Sequence, residues 1–431
     1  MNPMLVLFGS FSIFLLLGMP IAFCIGLSVA VFFIFASDMP LTFLATNLFA
    51  AVDSFPLMAI PFFILSGGLM QAGGLSKRLV DFASSLVGHW KGGLAMVTVL
   101  TCALFGSISG SAPATVAAVG TIMIPFMLQA GYPKGFTVAL VAAGGCLGVI
   151  LPPSIPMVMF GVATGASIGN LFLAGFLPGI LCLILLMIAA QIVARKKGYG
   201  GGERPFEKQR VITTFKSAIP ALLVPVIILG GIYGGIFTPT EAAVVAVFYG
   251  LLAGLFIYRE LTFSKVLQSL GDSALTTGTI LVIVGTGFTF GRVLAISGVP
   301  DAFVAGMTGI TENVFVMLLL VNLFLLFFGL FTDTIVAILI FAPLLWPVMS
   351  AFGVHIVHFG IMMVVNLAIG FITPPVGVNL FTGIRISGAS FSSVVKAVLP
   401  MVAALIVGLM LLTYIPNISL LIPRLFGRIP W

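Results

Sequence analysis

The chemistry of this sequence is confined to a few polar groups set inside long apolar runs. Asp333 lies in Phe331-Thr332-Asp333-Thr334, between the charge-free runs 314–332 and 334–354. A carboxylate at that place is costly, which marks an ion or substrate site by default. Pairing with Arg292 or capping a helix are its alternatives. A second cluster is Gly106-Ser107-Ile108-Ser109-Gly110-Ser111-Ala112-Pro113-Ala114-Thr115. Its small residues let backbone approach a ligand, and its hydroxyls are hard oxygen donors without net charge. Gly106 and Gly110 also form a G-x-x-x-G pair, so close helix packing is the competing reading. Two Pro-Pro pairs, Pro152-Pro153 and Pro374-Pro375, interrupt apolar segments. Each removes helical N–H donors and frees carbonyls, and bare backbone at membrane depth survives only where protein or a water-filled site satisfies it.

Together these groups predict two oxygen-rich cages. One draws on Ser107, Ser109, Gly110 and Ser111 with the carbonyls around Leu151 and Pro152. The other draws on Thr332, Asp333 and Thr334 with those around Thr373 and Pro374. Hydroxyl and carbonyl oxygens suit Na⁺, with Ser109, Ser111, Thr332 and Thr373 as its expected ligands, and nothing matches the N/S donors of transition metals. Calcium sites usually carry several carboxylates. Arg292, after Gly285-Thr286-Gly287-Phe288-Thr289-Phe290-Gly291, can hold a carboxylate bidentately or reach to the outer interface. Arg385 is a rival anion binder or a cytoplasmic anchor. Glu241, in Thr238-Pro239-Thr240-Glu241, either stabilises a helix N-terminus or takes part in coupling.

The elements that must position these groups follow from composition. The chain has 431 residues, with 18 Lys or Arg and 11 Asp or Glu, so 7% are charged and 61% are apolar. Soluble domains carry about 25% charged residues. Runs such as 2–37, 92–132 and 135–194 have no charge and exceed the ~20 residues that span a bilayer. The fold class is therefore an all-α polytopic membrane protein. The N-terminus lacks the basic region of a cleaved signal peptide. Cys24, Cys102, Cys146 and Cys182 stand singly in apolar runs and read as buried thiols. No P-loop and no H-E-x-x-H is present, and no G-x-S-x-G with a following His. These absences argue against ATP hydrolysis, metalloprotease chemistry and an intramembrane serine hydrolase. His355-Ile356-Val357-His358 reads as a polar turn, and neither a cofactor nor a nucleic-acid partner is expected.

The densest charge cluster runs from Arg195-Lys196-Lys197 through Arg204, Lys208, Arg210 and Lys216, which makes 195–216 a cytoplasmic linker by the positive-inside rule. Reading outward from it predicts crossings at about 4–18, 20–36, 55–75, 136–165 and 171–194. In the second half they fall at about 215–236, 240–258, 274–296, 360–386 and 396–416. Re-entrant hairpins are expected at about 93–130 and 313–352. This layout puts 15 of the 18 basic residues inside and the N-terminus on the periplasmic side. Gly148-Val149-Ile150-Leu151-Pro152-Pro153 matches Gly370-Phe371-Ile372-Thr373-Pro374-Pro375 at an offset of 222. Five crossings per half make the second copy upside down, so 1–194 and 217–431 form an inverted repeat, the signature of a secondary transporter.

The segment Asp53-Ser54-Phe55-Pro56-Leu57-Met58-Ala59-Ile60-Pro61-Phe62-Phe63 resembles the TRAP (tripartite ATP-independent periplasmic) transporter large membrane subunit. So do Ser109-Gly110-Ser111, Leu151-Pro152-Pro153-Ser154, Pro239-Thr240-Glu241 and Thr373-Pro374-Pro375, and the likeness runs over nearly the whole chain. It implies Na⁺-driven import of an organic acid, C4-dicarboxylate or sialic acid among them, by an elevator motion in the bacterial inner membrane. It also implies a separate small four-helix membrane subunit and a periplasmic substrate-binding protein, with no ATPase subunit. On the family pattern Ser109, Ser111, Ser154 and Asp333 fall in the Na⁺/substrate region, with Arg292 and Glu241 as further functional positions. A carrier of similar architecture that works alone, and a membrane enzyme or channel, are the competing readings.

Overall fold

The computed structural model describes residues 3–37, 39–200 and 205–430, so Gly201, Gly202, Glu203 and Arg204 of the linker lie outside the described residues. Among the described residues there are helices and turns and no strand. Eight helices there are long and apolar enough to cross a bilayer. The number is nine if Lys134–Ile150 and Ile155–Thr164, bent by 42° at their break, count as one span. Pro3–Leu16 and Ile21–Phe35 are two separate helices that pack on each other. Gly18 turns the chain between them at φ 76°, a conformation that costs glycine little.

Four helices occupy segments outside the expected crossings and hairpins: Thr42–Val52, Leu75–Val87, Val299–Ile310 and Asn417–Leu425. Leu75–Val87 is amphipathic, with Leu75, Leu79, Val80 and Ala83 buried and Lys77 and Asp81 exposed, the spacing of one apolar helical face. Arg78 on this helix pairs with Glu260 at 2.5 Å. The helix expected at 274–296 instead runs Phe263–Ile296, 34 residues, about 51 Å at 1.5 Å per residue. Lys265 and Asp272 in its first three turns are tolerated because they border an open vestibule with Gln71 and Gln268.

The repeat is visible as two matching sets of elements. The first hairpin is Gly93–Ser109 with Ala112–Gln129, and the second is Val314–Gly329 with Thr334–Ala351. A broken helix follows each: Lys134–Gly145 continuing through Leu147–Ile150 to Ile155–Thr164, and Ile356–Gly370 followed by Val378–Ser387. Both Pro-Pro bonds are cis. Residues 135–161 and 357–372 are buried without exception, which makes the broken helices the centre of the molecule.

In both units the hairpin's first arm rests on the broken helix through glycine. A Cβ on Gly106 would stand 2.6 Å from Gly148 Cα, and one on Gly370 would overlap the Gly329 carbonyl oxygen. Gly148 and Gly370 are repeat mates at the offset of 222. Cys146 donates its thiol to the Ala368 carbonyl at 3.1 Å across that same 222-residue separation. A residue touching its own mate lies close to the axis that relates the halves.

Candidate functional site

The turns of the two hairpins approach each other across a cavity of about 410 Å³. Ser109, Gly110 and Ser111 line it from the first turn, Asp333 and Thr334 from the second, and Ile155 and Pro156 from the first break. Thr276, Thr279, Ile280 and Ile283 of the long helix face them, with Ile64 and Gly67 beside.

Three helices begin at this cavity, each with a side-chain cap. Ser111 accepts from Ala114 N at 3.5 Å, Asp333 from Ile335 N at 2.8 Å and Ser154 from Met157 N at 3.4 Å. Pro113 and Pro156 occupy first-turn positions, where a missing N–H does no harm. Helix N-termini carry partial positive charge and unpaired N–H groups and so favour anions. No Lys or Arg lines the cavity, so its positive character comes from backbone. Asp333 opposes that character, and an anion entering here is repelled by it until a cation stands between them.

The first turn is an oxygen cluster. Ser109 Oγ lies 2.9 Å from Thr115 Oγ1, and Thr115 donates to the Ser111 carbonyl at 2.8 Å. Sequence reasoning quoted Thr115 without assigning it; its position one turn beyond a capping serine was the available signal. The Gly110 carbonyl accepts from Ile155 N at 3.1 Å, which fastens the turn to the break, and Ser154 Oγ donates to the Val149 carbonyl at 2.5 Å. These hydroxyl and carbonyl donors have the chemistry of a hard monovalent cation site. Among the described residues no group of three or more His, Cys, Asp or Glu could hold a metal.

The remaining expected residues lie away from the cavity lining. Ser107 donates to Leu104 O at 2.8 Å, Thr332 to Phe328 O at 2.9 Å and Thr373 to Ile369 O at 2.7 Å, each within its own segment. Leu151, Pro152 and Pro374 belong to the breaks behind the turns and do not line the cavity. Arg292 does not reach Asp333. Its Nη1 donates to Asn47 Oδ1 at 2.7 Å, and it lines a separate cavity of about 460 Å³ with Asn47, Ser54 and Thr289. Glu241 is exposed and closes a capping box, accepting from Thr238 N at 2.8 Å. Arg385 is exposed in the last turn of Val378–Ser387.

A buried polar chain in the second half went unnoticed in the sequence. Asn366 Nδ2 donates to Asn322 Oδ1 at 2.9 Å, and Asn322 Nδ2 to Thr413 Oγ1 at 3.0 Å. His358 contacts Ser419 Oγ at 2.8 Å. His355 caps the second broken helix through Nδ1, which accepts from Val357 N at 3.2 Å.

The profile of the family described as tripartite ATP-independent periplasmic transporter, DctM component, matches residues 8–418. The chain is 45% identical over 423 residues to the isethionate TRAP transporter permease protein DctMQ of Oleidesulfovibrio alaskensis, covering 97% of this chain and 66% of that protein. It is 42% identical to the C4-dicarboxylate TRAP transporter large permease protein DctM of Pseudomonas aeruginosa, with 94% of each covered. It is 38% identical to the sialic acid TRAP transporter large permease protein SiaM of Vibrio cholerae, covering 95% of this chain and 96% of that one. Among solved structures it is similar to the YdaH transporter of Alcanivorax borkumensis, with a TM-score of 0.61, 17% identity, and coverage of 88% of this chain and 89% of that one.

Proposed function

The chain belongs to the DctM component family of TRAP transporters, and from that premise we propose that it imports a small organic acid together with Na⁺ through the cavity between its hairpin turns. A multi-pass permease of this family is a transporter and not an enzyme. The observation that carries the proposal is the convergence of three helix N-termini and one carboxylate on a cavity without a basic side chain. The N-termini attract the anion and Asp333 demands a cation with it, which is a physical basis for coupling. Ser109, Ser111 and Thr115 supply neutral oxygens for that cation on the first turn. Related permeases carry names for isethionate, C4-dicarboxylate and sialic acid transport. We take the substrate to be an acid of that size class, delivered by a periplasmic binding protein with a small membrane subunit alongside. An elevator motion of the hairpin-bearing elements, the basic linker on the cytoplasmic side and the N-terminus on the periplasmic side complete the reading.

The test is the melting temperature of the purified chain in NaCl and in KCl at equal ionic strength. A ligand that binds only the folded state stabilises it by about 2.7 kcal/mol at a hundredfold excess over Kd. A Na⁺-specific rise, abolished in Asp333→Asn and in Ser109→Ala, is the expected result. A rise that survives both substitutions overturns the site, and equal melting in the two salts overturns Na⁺ coupling.

A further inference from the structure

The face of the long helix Phe263–Ile296 that meets the hairpins carries a polar stripe. Ser269, Ser273, Thr276 and Thr279 recur at helical spacing of three or four residues, which stacks them along one side. The central cavity and an adjoining vestibule of about 360 Å³ meet along this stripe. Thr276, Ile64, Gly67 and Ala114 line both spaces, and Ser269, Ser273 and Lys265 line only the vestibule. The two spaces therefore adjoin at Thr276. The vestibule lies toward the start of the helix, where Lys265 donates to the Glu260 carbonyl at 2.9 Å and Glu260 pairs with Arg78. That is the side of the basic linker.

Toward the other end the same helix face is closed. A Cβ on Gly287 would come 2.9 Å from Leu339 Cδ1. Leu339 of the second hairpin is buried against this glycine. Beyond it lies the separate cavity of Arg292, which Leu339 also lines. Past Thr279 the cavity is lined by Ile280 and Ile283, and Leu339 on Gly287 closes the face about two turns beyond the last threonine of the stripe. Thr276 donates to Asp272 O at 2.8 Å and Thr279 to Leu275 O at 3.0 Å. Each hydroxyl satisfies its own hydrogen on the helix and keeps its lone pairs for water or for a donor on a passing solute.

We propose that this stripe is the wall of the release path for the organic anion, open to the linker side and stopped on the other side by Leu339 against Gly287. The inference rests on the transport reading above for the identity of the solute, but the path itself is a statement about access. It is tested by single cysteines read with a small, anionic, membrane-impermeant methanethiosulfonate. The four native cysteines are buried, so the background is low. Ser273→Cys, Thr276→Cys and Thr279→Cys are expected to react when reagent is on the linker side and to resist it from the other side. Ala274→Cys and Gly278→Cys, on the opposite face, are expected to react at least ~10-fold more slowly, because a thiol facing lipid stays protonated. Leu339→Ala is expected to admit reagent to Thr279→Cys from the far side. Equal reaction on both helix faces, or reaction of the stripe from the far side in the unaltered background, overturns the proposal. These rates need neither Na⁺ nor a known substrate. A melting test that fails in NaCl with the labelling pattern intact removes the coupling reading alone, and the converse removes the path alone.

Discussion

The two hairpin-and-break units share a register and differ in closure. In the first, the turn is fastened to the break by the Gly110–Ile155 backbone bond, and residues Leu151 to Ser154 are all buried. In the second, no bond joins Thr332 to Gly377, the equivalent pair, among the described residues. Its break spans Phe371 to Gly377, with Pro375 and Val376 exposed, and Gly377 begins the next helix at φ 52° without a side-chain cap. The capping residue at the turn is Ser111 in one unit and Asp333, its repeat mate, in the other. One unit is a fixed oxygen cluster, and the other holds the charge on looser backbone. Symmetry of fold here supports a division of labour, in which the geometry of a site and its charge sit on different copies.

The largest test of that division sets the two caps against each other. Asp333→Asn should cut uptake by about a hundredfold, the scale of about 3 kcal/mol for an interaction of a charged group. Ser111→Ala should cut it about tenfold, and equal losses would erase the contrast. Next come the glycine contacts, where the units should behave alike. Gly106→Ala and Gly370→Ala each force a methyl into backbone and should cost about 1–3 kcal/mol in a thermal melt. Gly278→Ala, with open space around it, should melt no lower than the parent.

The breaks should then separate the units again. Ser154→Ala loses both a cap and the bond to Val149, about 1–2 kcal/mol, while Thr373→Val loses one bond to Ile369, about 0.5–1.5 kcal/mol. The smallest effect concerns the starts of the broken helices. Pro133 begins the first without a side-chain cap, and His355, its repeat mate, begins the second with one. Burial, and then the Arg424 guanidinium, push His355 below its ordinary value of 6.5. Below that value the unfolded chain takes up a proton that the folded one resists, so stability is full above it and declines as pH falls. Burial lowers neighbouring His358 further, to about 4, so a melt that weakens as pH falls below about 7.5, less steeply in His355→Asn, is expected. An unchanged slope in that variant would assign the titration elsewhere.

Much of this molecule could be read from the residues, because its determinants are local. Offset matches such as Gly148 with Gly370, the Pro-Pro pairs and a carboxylate between apolar runs are all statements about nearby residues. Asp333 proved to be a helix cap and a cavity residue at once, since a cap placed at a turn must point where the turn points. The facing wall was not legible. Thr276 and Thr279 look like ordinary helix surface until the hairpins are brought against them. The helices Thr42–Val52 and Leu75–Val87 were missed for a related reason, being too short or too charged to cross a bilayer. Asn47 became a partner of Arg292 only through contact across 245 residues, which no periodicity announces.

The Cys146–Ala368 contact carries a consequence for how such a duplicated chain can change. Away from the centre, an altered residue disturbs one copy and leaves its twin as a reserve. Where a position touches its own twin there is no reserve: one substitution reshapes both copies in the same step. The turns, which face each other across the cavity, were free to drift apart into serine and aspartate. The seam had to be renegotiated as a single piece, so inherited likeness should persist longest there.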